Sequence, residues 1–398
     1  MVSKQMQHLG SVRSVIREIF EYAKTRSAEI GADNIFDFSI GNPSVPAPPS
    51  VNAAIKELID TEDSTLLHGY TSAQGDAQVR ADIAASVNRR FGVEIGPDDL
   101  YMTCGAAASL SCCLTALACE GDEFIVFAPY FPEYRVFIEA AGGKVVEVPP
   151  AEPDFQIDLA ALEKAVGPRT KAVLFNSPNN PSGVVYSERT VEAVCALLRN
   201  RENEYDHPIY LIADEPYREL TYGDVPVPYL MRYYDDALVC YSYSKSLSLP
   251  GERIGYVAVC PRCAGHDAVY AAICGAGRAL GYVCAPSLMQ RVVARCDGQT
   301  ADVSVYKRNR DLLYDNLTAY GYACVKPDGA FYLFVKALEP DAGAFCDRAK
   351  RHELLLVPSD SFGVGGYVRL AYCVQTEMIE RALPAFKALA EEYEKGQV

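Results

Sequence analysis

Short apolar runs alternate with longer segments of helical periodicity through the middle of the chain. Each run has the length of a buried strand, and the runs lie at 123–128, 144–148, 171–176, 209–213, 237–241 and 255–260. Apolar residues recur at helical spacing at 77–90, 106–118, 134–141 and 190–200. This alternation predicts a mostly parallel central sheet with helices on both of its faces.

The pattern changes towards both ends of the chain. Segment 11–30 has helical spacing, with an apolar side that consists of Val12, Val15, Ile16, Ile19 and Phe20. Residues 35–40 are strand-like, and the three prolines within 45–49 indicate a linker.

After residue 295, a long helix near 301–320 and short strands near 331–335 and 368–372 predict a second domain of α+β type. We therefore expect a large domain of residues 48–295. The smaller domain is expected to combine residues 1–47 with residues 296–398.

Three polar side chains lie at or just beyond the ends of predicted strands: Asn176, Asp214 and Lys245. Ligands of such sheets bind beyond the carboxyl ends of the strands, so these residues should share one edge. A desolvated lysine loses its proton more easily, and its neutral amine can form a Schiff base with a carbonyl. The hydroxyls of Ser242 and Ser244 and the guanidinium of Arg253 suit a phosphate. Together these features suggest pyridoxal phosphate, with an ordinary surface lysine in a polar turn as the alternative.

Composition narrows the class of protein. The net charge of −15 argues against a nucleic-acid-binding surface. The fourteen cysteines lack the spacing of a disulfide framework and favour a reducing compartment. No apolar run reaches the roughly 18 residues of a membrane span. The first ten residues lack the apolar core of a signal peptide, so we expect a cytoplasmic protein without membrane partners.

Two motifs carry little weight. Cys260 and Cys263 form a single CxxC without a second pair or a histidine pair, so we expect no metal site. The glycine-rich segment 275–281 does not have the GxGxxG spacing of a dinucleotide site.

The segment around Lys245 resembles the lysine segment of class I/II aminotransferases, the fold-type I enzymes that use pyridoxal phosphate. It reads Ser-Tyr-Ser-Lys from Ser242, followed by Pro-Gly-Glu-Arg-Ile-Gly-Tyr from Pro250. Blocks similar to the same family follow one another in family order at 39–43, 69–71, 105–107, 129–134, 176–183, 214–217, 327–332 and 367–370. The resemblance covers nearly the whole chain. It implies an α/β fold of fold type I, with a mostly parallel central sheet flanked by helices and a smaller α+β domain.

The resemblance also implies roles for individual residues. Lys245 would hold the cofactor and act as general acid and base, and Asp214 would pair with the pyridine nitrogen. Tyr217 and Asn180 would reach the phenolic oxygen of the ring, and Phe131 would lie over its face. A helix that opens at Gly105, Ala106 and Ala107 would bind the phosphate together with Ser242, Ser244 and Arg253.

Tyr70 matches a family tyrosine that reaches the phosphate of the neighbouring subunit, which implies a homodimer with shared active sites. Arg369 matches the arginine that binds the substrate α-carboxylate, and Gly41, Asn42 and Asn180 are expected to line the same pocket. Such an enzyme moves an amino group from an L-amino acid to a 2-keto acid by a ping-pong mechanism through a Lys245 Schiff base.

Two alternatives and the choice of substrate stay open. A C–S β-lyase uses the same proton abstraction on the same fold, and a pyridoxal-phosphate-binding regulatory module would not be an enzyme. One aspartate-aminotransferase subgroup reads the distal carboxylate with a lysine in the phosphate loop, where this chain has Ala107. Arg278 is a candidate cation for an acidic substrate, whereas Phe131 and the many tyrosines would suit an aromatic one. We therefore expect aspartate or an aromatic or neutral amino acid as donor.

Overall fold

The computed structural model describes residues 2–11 and 15–396. Its helices are α1 Lys4–Ser11, α2 Val15–Ile30, α3 Pro49–Thr61, α4 Ser64–His68, α5 Ala77–Phe91, α6 Ala106–Leu117, α7 Glu133–Ala140, α8 Leu159–Ala165, α9 Glu188–Tyr205, α10 Tyr243–Ser246, α11 His266–Ala279, α12 Ser287–Arg295, α13 Val303–Ala319, α14 Ala342–Ala349 and α15 Thr376–Glu394. Its strands are β1 Phe36–Asp37, β2 Leu100–Thr103, β3 Glu123–Phe127, β4 Lys144–Val148, β5 Pro150–Ala151, β6 Gln156–Ile157, β7 Thr170–Asn176, β8 Tyr210–Asp214, β9 Ala237–Ser242, β10 Gly255–Val259, β11 Tyr332–Lys336, β12 Leu354–Leu355, β13 Val357–Pro358 and β14 Tyr367–Ala371.

The central sheet has seven strands in the order β2-β10-β9-β8-β7-β3-β4. Strand β10 runs antiparallel to both of its neighbours, and the other pairs are parallel. Every residue of β8 and β9 is buried, as expected for continuous apolar strands covered by helices on both faces. The predicted mostly parallel α/β sheet is confirmed.

Register in this sheet brings two of the predicted functional residues together. Asn176 and Asp214 are the last residues of the neighbouring strands β7 and β8, and they are direct partners. Helix α10, which carries Lys245, follows the next strand, β9, without a gap. Parallel strands therefore deliver all three side chains to one edge.

A second, antiparallel sheet has the strand order β11-β14-β13. The short strand β1 pairs in parallel with β12, which ties the N-terminal segment to the C-terminal part of the chain. One large hydrophobic cluster contains buried residues between Val51 and Cys296. Another packs Phe38 and Val45 against residues of the last hundred, and it also includes Tyr217, Leu220 and Tyr222.

The N-terminal helix differs in part from its prediction. The described residues form α1 and α2, and the predicted apolar residue Val12 lies outside the described residues. In α2 the buried residues are Ile19 and Ala23, whereas Phe20 is 48% exposed. The buried stripe of α2 packs on Leu355 and Val357 and is narrower than the apolar side of the sequence, so Val15 and Phe20 lie outside it.

No helix among residues 2–11 and 15–396 has the length and apolar character needed to cross a membrane.

Candidate active site

A cavity of about 300 Å³ opens at the carboxyl end of the central sheet, between the two hydrophobic clusters. It is lined by Ile16, Ile40, Gly41, Ala106, Ala107, Leu110, Phe131, Asn176, Asn180, Asp214, Pro216, Tyr217, Ser242, Ser244, Lys245, Pro250, Arg253, Tyr332 and Arg369. Most of the residues predicted to form a functional site are in this lining.

Lys245 lies in the cavity with its amine largely shielded from water. Its Nζ donates a hydrogen bond to the Gly41 carbonyl at 2.8 Å and lies 5.4 Å from the centre of the Phe331 ring. Desolvation by burial lowers the pKa of Lys245 from 10.5 to about 8, and the positive charges of Arg253 and Arg369 act in the same direction. A larger fraction of the amine is therefore neutral near neutral pH than in an exposed lysine, although the protonated form still predominates.

Asp214 has two carboxylate oxygens in different situations. Its Oδ2 accepts a hydrogen bond of 2.5 Å from the Tyr134 hydroxyl, while its Oδ1 is buried without a hydrogen-bond partner in the described part of the chain. Burial raises the pKa of Asp214 to about 7, and the bond from Tyr134 opposes that rise. The Asn176 side chain fixes the strand end by donating to the Asp214 backbone carbonyl at 2.9 Å.

Arg369 is held from two sides on β14. Its Nη1 donates to Asn180 Oδ1 at 3.3 Å and its Nη2 donates to the Ser39 carbonyl at 2.5 Å. Only 2% of the residue is exposed, and its Nε is buried with no acceptor among the described residues. A guanidinium carries more N–H donors than these two bonds use, so it can still bind a carboxylate.

Two tyrosines link the walls of the cavity. The Tyr217 and Tyr332 hydroxyls are 2.9 Å apart, and burial raises the pKa of Tyr217 well above 10. The Arg369 guanidinium lies 4.8 Å from the centre of the Tyr332 ring. Asn180 is oriented through its backbone N–H, which donates to Asn176 Oδ1 at 2.7 Å.

The predicted phosphate loop has the geometry of an anion site. Gly105 precedes α6 with a φ of 87°, and a Cβ at this position would lie 2.8 Å from Arg253 Nη2. The positive φ favours glycine at this position, and the absence of a Cβ leaves room for the guanidinium beside the backbone. Ser242 Oγ accepts from the Ser244 N–H at 3.2 Å, and Arg253 Nη1 lies 3.5 Å from Ser244 Oγ.

Three residues that the sequence offered for the site, Tyr70, Asn42 and Arg278, are not in the described cavity lining. Tyr70 is 90% exposed and is not part of the cavity lining in the described chain. Asn42 is also exposed and is not in that lining, whereas the preceding Gly41 binds Lys245 through its carbonyl. Arg278 is exposed on α11 and does not line the cavity either.

Comparison with known proteins identifies the family. The family model of aminotransferases of class I and II matches residues 33–386. The chain belongs to this family. It is 31% identical to the aspartate aminotransferase of Thermotoga maritima over 380 residues, covering 91% of this chain and 93% of that one. It is 29% identical to a probable aspartate aminotransferase of Methanocaldococcus jannaschii, covering 98% and 100%.

Solved structures agree with this assignment. The crystal structure of an amino transferase from Eubacterium rectale superposes with a TM-score of 0.97 at 57% identity, covering 99% of both chains. The aspartate aminotransferase of Thermus thermophilus with maleate gives a TM-score of 0.86 at 26% identity over 98% of this chain and 99% of that one. The predicted fold type I, transaminase activity and pyridoxal phosphate cofactor are therefore confirmed.

The residues of this transaminase fit the cofactor. Within the described chain, Asp214 Oδ1 lacks a donor, which a protonated ring nitrogen would supply. The backbone at Gly105, the Ser242 and Ser244 hydroxyls and the Arg253 guanidinium form the donor set that a phosphate requires.

Several contributors to this aminotransferase site received no role from the sequence, and three of them are Tyr134, Tyr332 and Ile16. Tyr134 binds Asp214, Tyr332 contacts Tyr217, and Ile16 reaches the cavity lining from α2. Both tyrosines belong to blocks that resemble the family, at 129–134 and 327–332. That resemblance is the available signal, but it was not used to assign a role to either tyrosine.

Proposed function

We propose that this aminotransferase uses Lys245, Asp214 and Arg369 as its central residues. The observation that carries the proposal is the pair of buried polar atoms, Asp214 Oδ1 and Arg369 Nε, that have no partner among the described residues of one cavity. A buried polar group without a partner costs free energy and calls for an explanation, which a bound ligand would supply for two such atoms in one cavity. A carboxylate oxygen needs a donor and a guanidinium N–H needs an acceptor, and the two complement a pyridine N–H and a substrate carboxylate.

Each residue then has a distinct task. Pyridoxal phosphate supplies an electron sink that weakens the bonds to the substrate Cα. Lys245 Nζ would take the proton from the substrate Cα and deliver it to C4′ of the cofactor, because its lowered pKa allows both the neutral and the protonated amine near neutral pH. Arg369 holds the α-carboxylate and so orients the Cα–H bond towards that amine.

Tyr217 and Asn180 are proposed to bind the phenolic oxygen of the cofactor, and Phe131 to cover its ring. All three line the cavity. The phosphate is assigned to the backbone of Gly105, Ala106 and Ala107, with the side chains of Ser242, Ser244 and Arg253. Gly41 is proposed to contact the substrate. Asn42 stays a prediction for the same role, although its exposed position does not support it.

We infer that a neutral or aromatic amino acid is the preferred donor. Within residues 2–11 and 15–396, the cations that line the cavity are Lys245, Arg253 and Arg369, and each has a task at the cofactor or the α-carboxylate. Apolar side chains form much of the remaining wall, namely Ile16, Ile40, Leu110 and Phe131. An aspartate side chain would therefore need a cation from a second subunit. Aspartate is still included among the donors to be tested, because several relatives are named aspartate aminotransferases.

A homodimer with shared active sites is part of the proposal. Tyr70 is 90% exposed, and four apolar side chains are also exposed: Ile59, Leu66, Leu280 and Val283. A contiguous patch of exposed apolar side chains marks a protein–protein contact, and we propose that these residues belong to one. A second copy that brings its Tyr70 to the phosphate would account for both observations.

The domain division and the compartment are likewise proposals. Two hydrophobic clusters and the β1–β12 pairing support a large domain of residues 48–295 and a small domain of residues 1–47 with 296–398. All fourteen cysteines are thiols in the described residues, which supports a reducing cytoplasm.

A donor screen tests the proposed substrate class. Purified enzyme is supplied with single L-amino acids and either 2-oxoglutarate or pyruvate, and kcat/KM is measured for each donor, with Lys245→Ala as the background control. We expect aromatic or neutral donors to exceed aspartate. A tenfold preference for aspartate would contradict the inference, and pyruvate release from cysteine or cystathionine that outruns every amino transfer would instead favour the β-lyase.

A further inference from the structure

Tyr134 has no assigned role in the reaction, yet its hydroxyl donates a hydrogen bond to Asp214, the carboxylate proposed to face the cofactor ring. The Tyr134 hydroxyl lies 2.5 Å from Asp214 Oδ2, although the two residues are 80 positions apart in the chain. Both side chains are buried, Tyr134 being 2% exposed and Asp214 5% exposed. A hydrogen bond to a buried charged group is stronger than one to a neutral group, so this contact bears on the ionisation of Asp214.

Packing fixes the direction of the Tyr134 ring. It lies in the first turn of α7, meets Phe131 edge to face at 5.7 Å between ring centres, and stacks on Tyr130 at 6.5 Å. Phe131 lies two residues before α7 and belongs to the cavity lining, so one short segment supplies a cavity wall and, in the first turn of the helix, a hydrogen-bond donor. The ring has little freedom to aim its hydroxyl elsewhere.

We propose that Tyr134 is a positioning residue that occupies Asp214 Oδ2, so that Oδ1 is directed at the ring nitrogen and the carboxylate stays ionised. This inference rests on the proposed function, because it assumes that Asp214 faces the cofactor ring. The proton shared by the carboxyl group and the ring nitrogen then lies on the ring, where it strengthens the electron sink.

The other groups around Asp214 do not replace this donor. Glu215 adds negative charge beside Asp214 but is held by Arg218 in a buried ion pair. The Tyr217 hydroxyl bonds with Tyr332, and the Cys240 thiol lies 3.7 Å from the Cys113 thiol. Burial raises the pKa of Asp214 to about 7, so without the Tyr134 donor a larger fraction of the group would be neutral at pH 7.

The test compares Tyr134→Phe with Tyr130→Phe in the holoenzyme. Both changes remove one hydroxyl from stacked rings, but the Tyr130 hydroxyl bonds with Glu147 rather than with Asp214. The readouts are the affinity for pyridoxal phosphate, the pH dependence of the bound cofactor's absorbance, and the ¹⁵N chemical shift of its labelled ring nitrogen. Loss of a hydrogen bond to a charged group corresponds to a change of roughly 10- to 150-fold in an equilibrium constant.

We expect Tyr134→Phe to weaken cofactor binding by roughly that factor and to move the ¹⁵N shift towards the unprotonated ring, with Tyr130→Phe like wild type. Wild-type values for Tyr134→Phe, or equal changes in both variants, would overturn the inference alone. Wild-type protein that takes up no cofactor would refute the proposed function and the inference with it.

A double variant keeps the test decisive if Tyr134→Phe alone fails to fold. If Tyr134 acts through Asp214, adding Tyr134→Phe to Asp214→Ala should change neither cofactor affinity nor the ¹⁵N shift further. If Tyr134→Phe folds only in the Asp214→Ala background, the hydroxyl is needed for the carboxylate, as proposed. If neither single nor double variant folds while Asp214→Ala does, the hydroxyl serves packing and the inference is wrong.

Discussion

Replacing Arg369 by lysine tests whether a guanidinium fork reads the α-carboxylate. Lysine keeps the positive charge but offers a point donor instead of the planar fork, so it cannot make two parallel bonds to one carboxylate. In this site Asn180 and Ser39 already hold the two Nη atoms, which orients the plane of the guanidinium before substrate arrives. Losing at least one charged hydrogen bond of about 1.5–3 kcal/mol should lower kcat/KM by roughly 10- to 150-fold.

The assay uses two donors that differ in the carboxylate alone. Phenylalanine and phenethylamine are compared in the half-reaction, followed by the absorbance of the bound cofactor. Arg369→Lys should lower kcat/KM for phenylalanine. For the weaker substrate phenethylamine, kcat/KM should stay within about threefold of the wild-type value.

Arg310→Lys provides a matched control. Arg310 is also a buried arginine, 7% exposed, but it bonds with Pro327 and Asp311 and does not line the described cavity. Its replacement should affect both donors equally. Equal losses for both donors in Arg369→Lys, or a phenylalanine value within threefold of wild type, would refute the assigned role.

Three further predictions follow from the site. Reaction of the apoenzyme with pyridoxal phosphate, trapped by borohydride, should increase with pH and reach half its maximum near pH 8, because the amine of Lys245 is protonated below its pKa of about 8 and neutral above it; a midpoint near 10.5 would contradict this. Asp214→Ala should keep the circular dichroism of wild type but lose much more than tenfold in amino transfer, tenfold being only about 1.4 kcal/mol of barrier; rates within tenfold would count against its role. Mixing inactive Lys245→Ala protein with an inactive Tyr70→Ala protein should restore activity after subunit exchange, whereas a fully active monomer in sedimentation would exclude a shared site.

The parallel sheet could be predicted because its strands are short, continuous apolar runs. The runs at 144–148 and 123–128 coincide with β4 and β3 to within a residue. Once the strands are placed, topology alone brings Asn176, Asp214 and the lysine after β9 to one edge. That part of the site follows from local pattern.

The residues that the pattern missed act through long-range contacts. The hydroxyl of Tyr134 meets Asp214 across 80 residues, and its neighbours along the chain are aromatic, so it reads as core. Ile16 belongs to a helix whose apolar side does not indicate which residue turns towards the cavity. Such roles depend on how distant elements pack, which hydrophobic periodicity does not encode.

The helix α11 shows a similar limit. It begins at His266 and contains two glycines, Gly275 and Gly277, and glycine disfavours an isolated helix. Its packing against α6 buries Ile273 and Gly277, and Gly277 is needed because a Cβ there would lie 2.0 Å from the Tyr101 hydroxyl. Tertiary contact therefore overrides local propensity.

The identity of the cofactor-bearing lysine tests the account most directly. The holoenzyme is reduced with borohydride, digested and mapped by mass spectrometry, with Lys245→Ala treated in parallel. The account predicts that the reduced cofactor is found on the peptide that contains Lys245 and is absent from the variant. Cofactor fixed to another lysine in the wild-type enzyme, or an unchanged yield in Lys245→Ala, would contradict it.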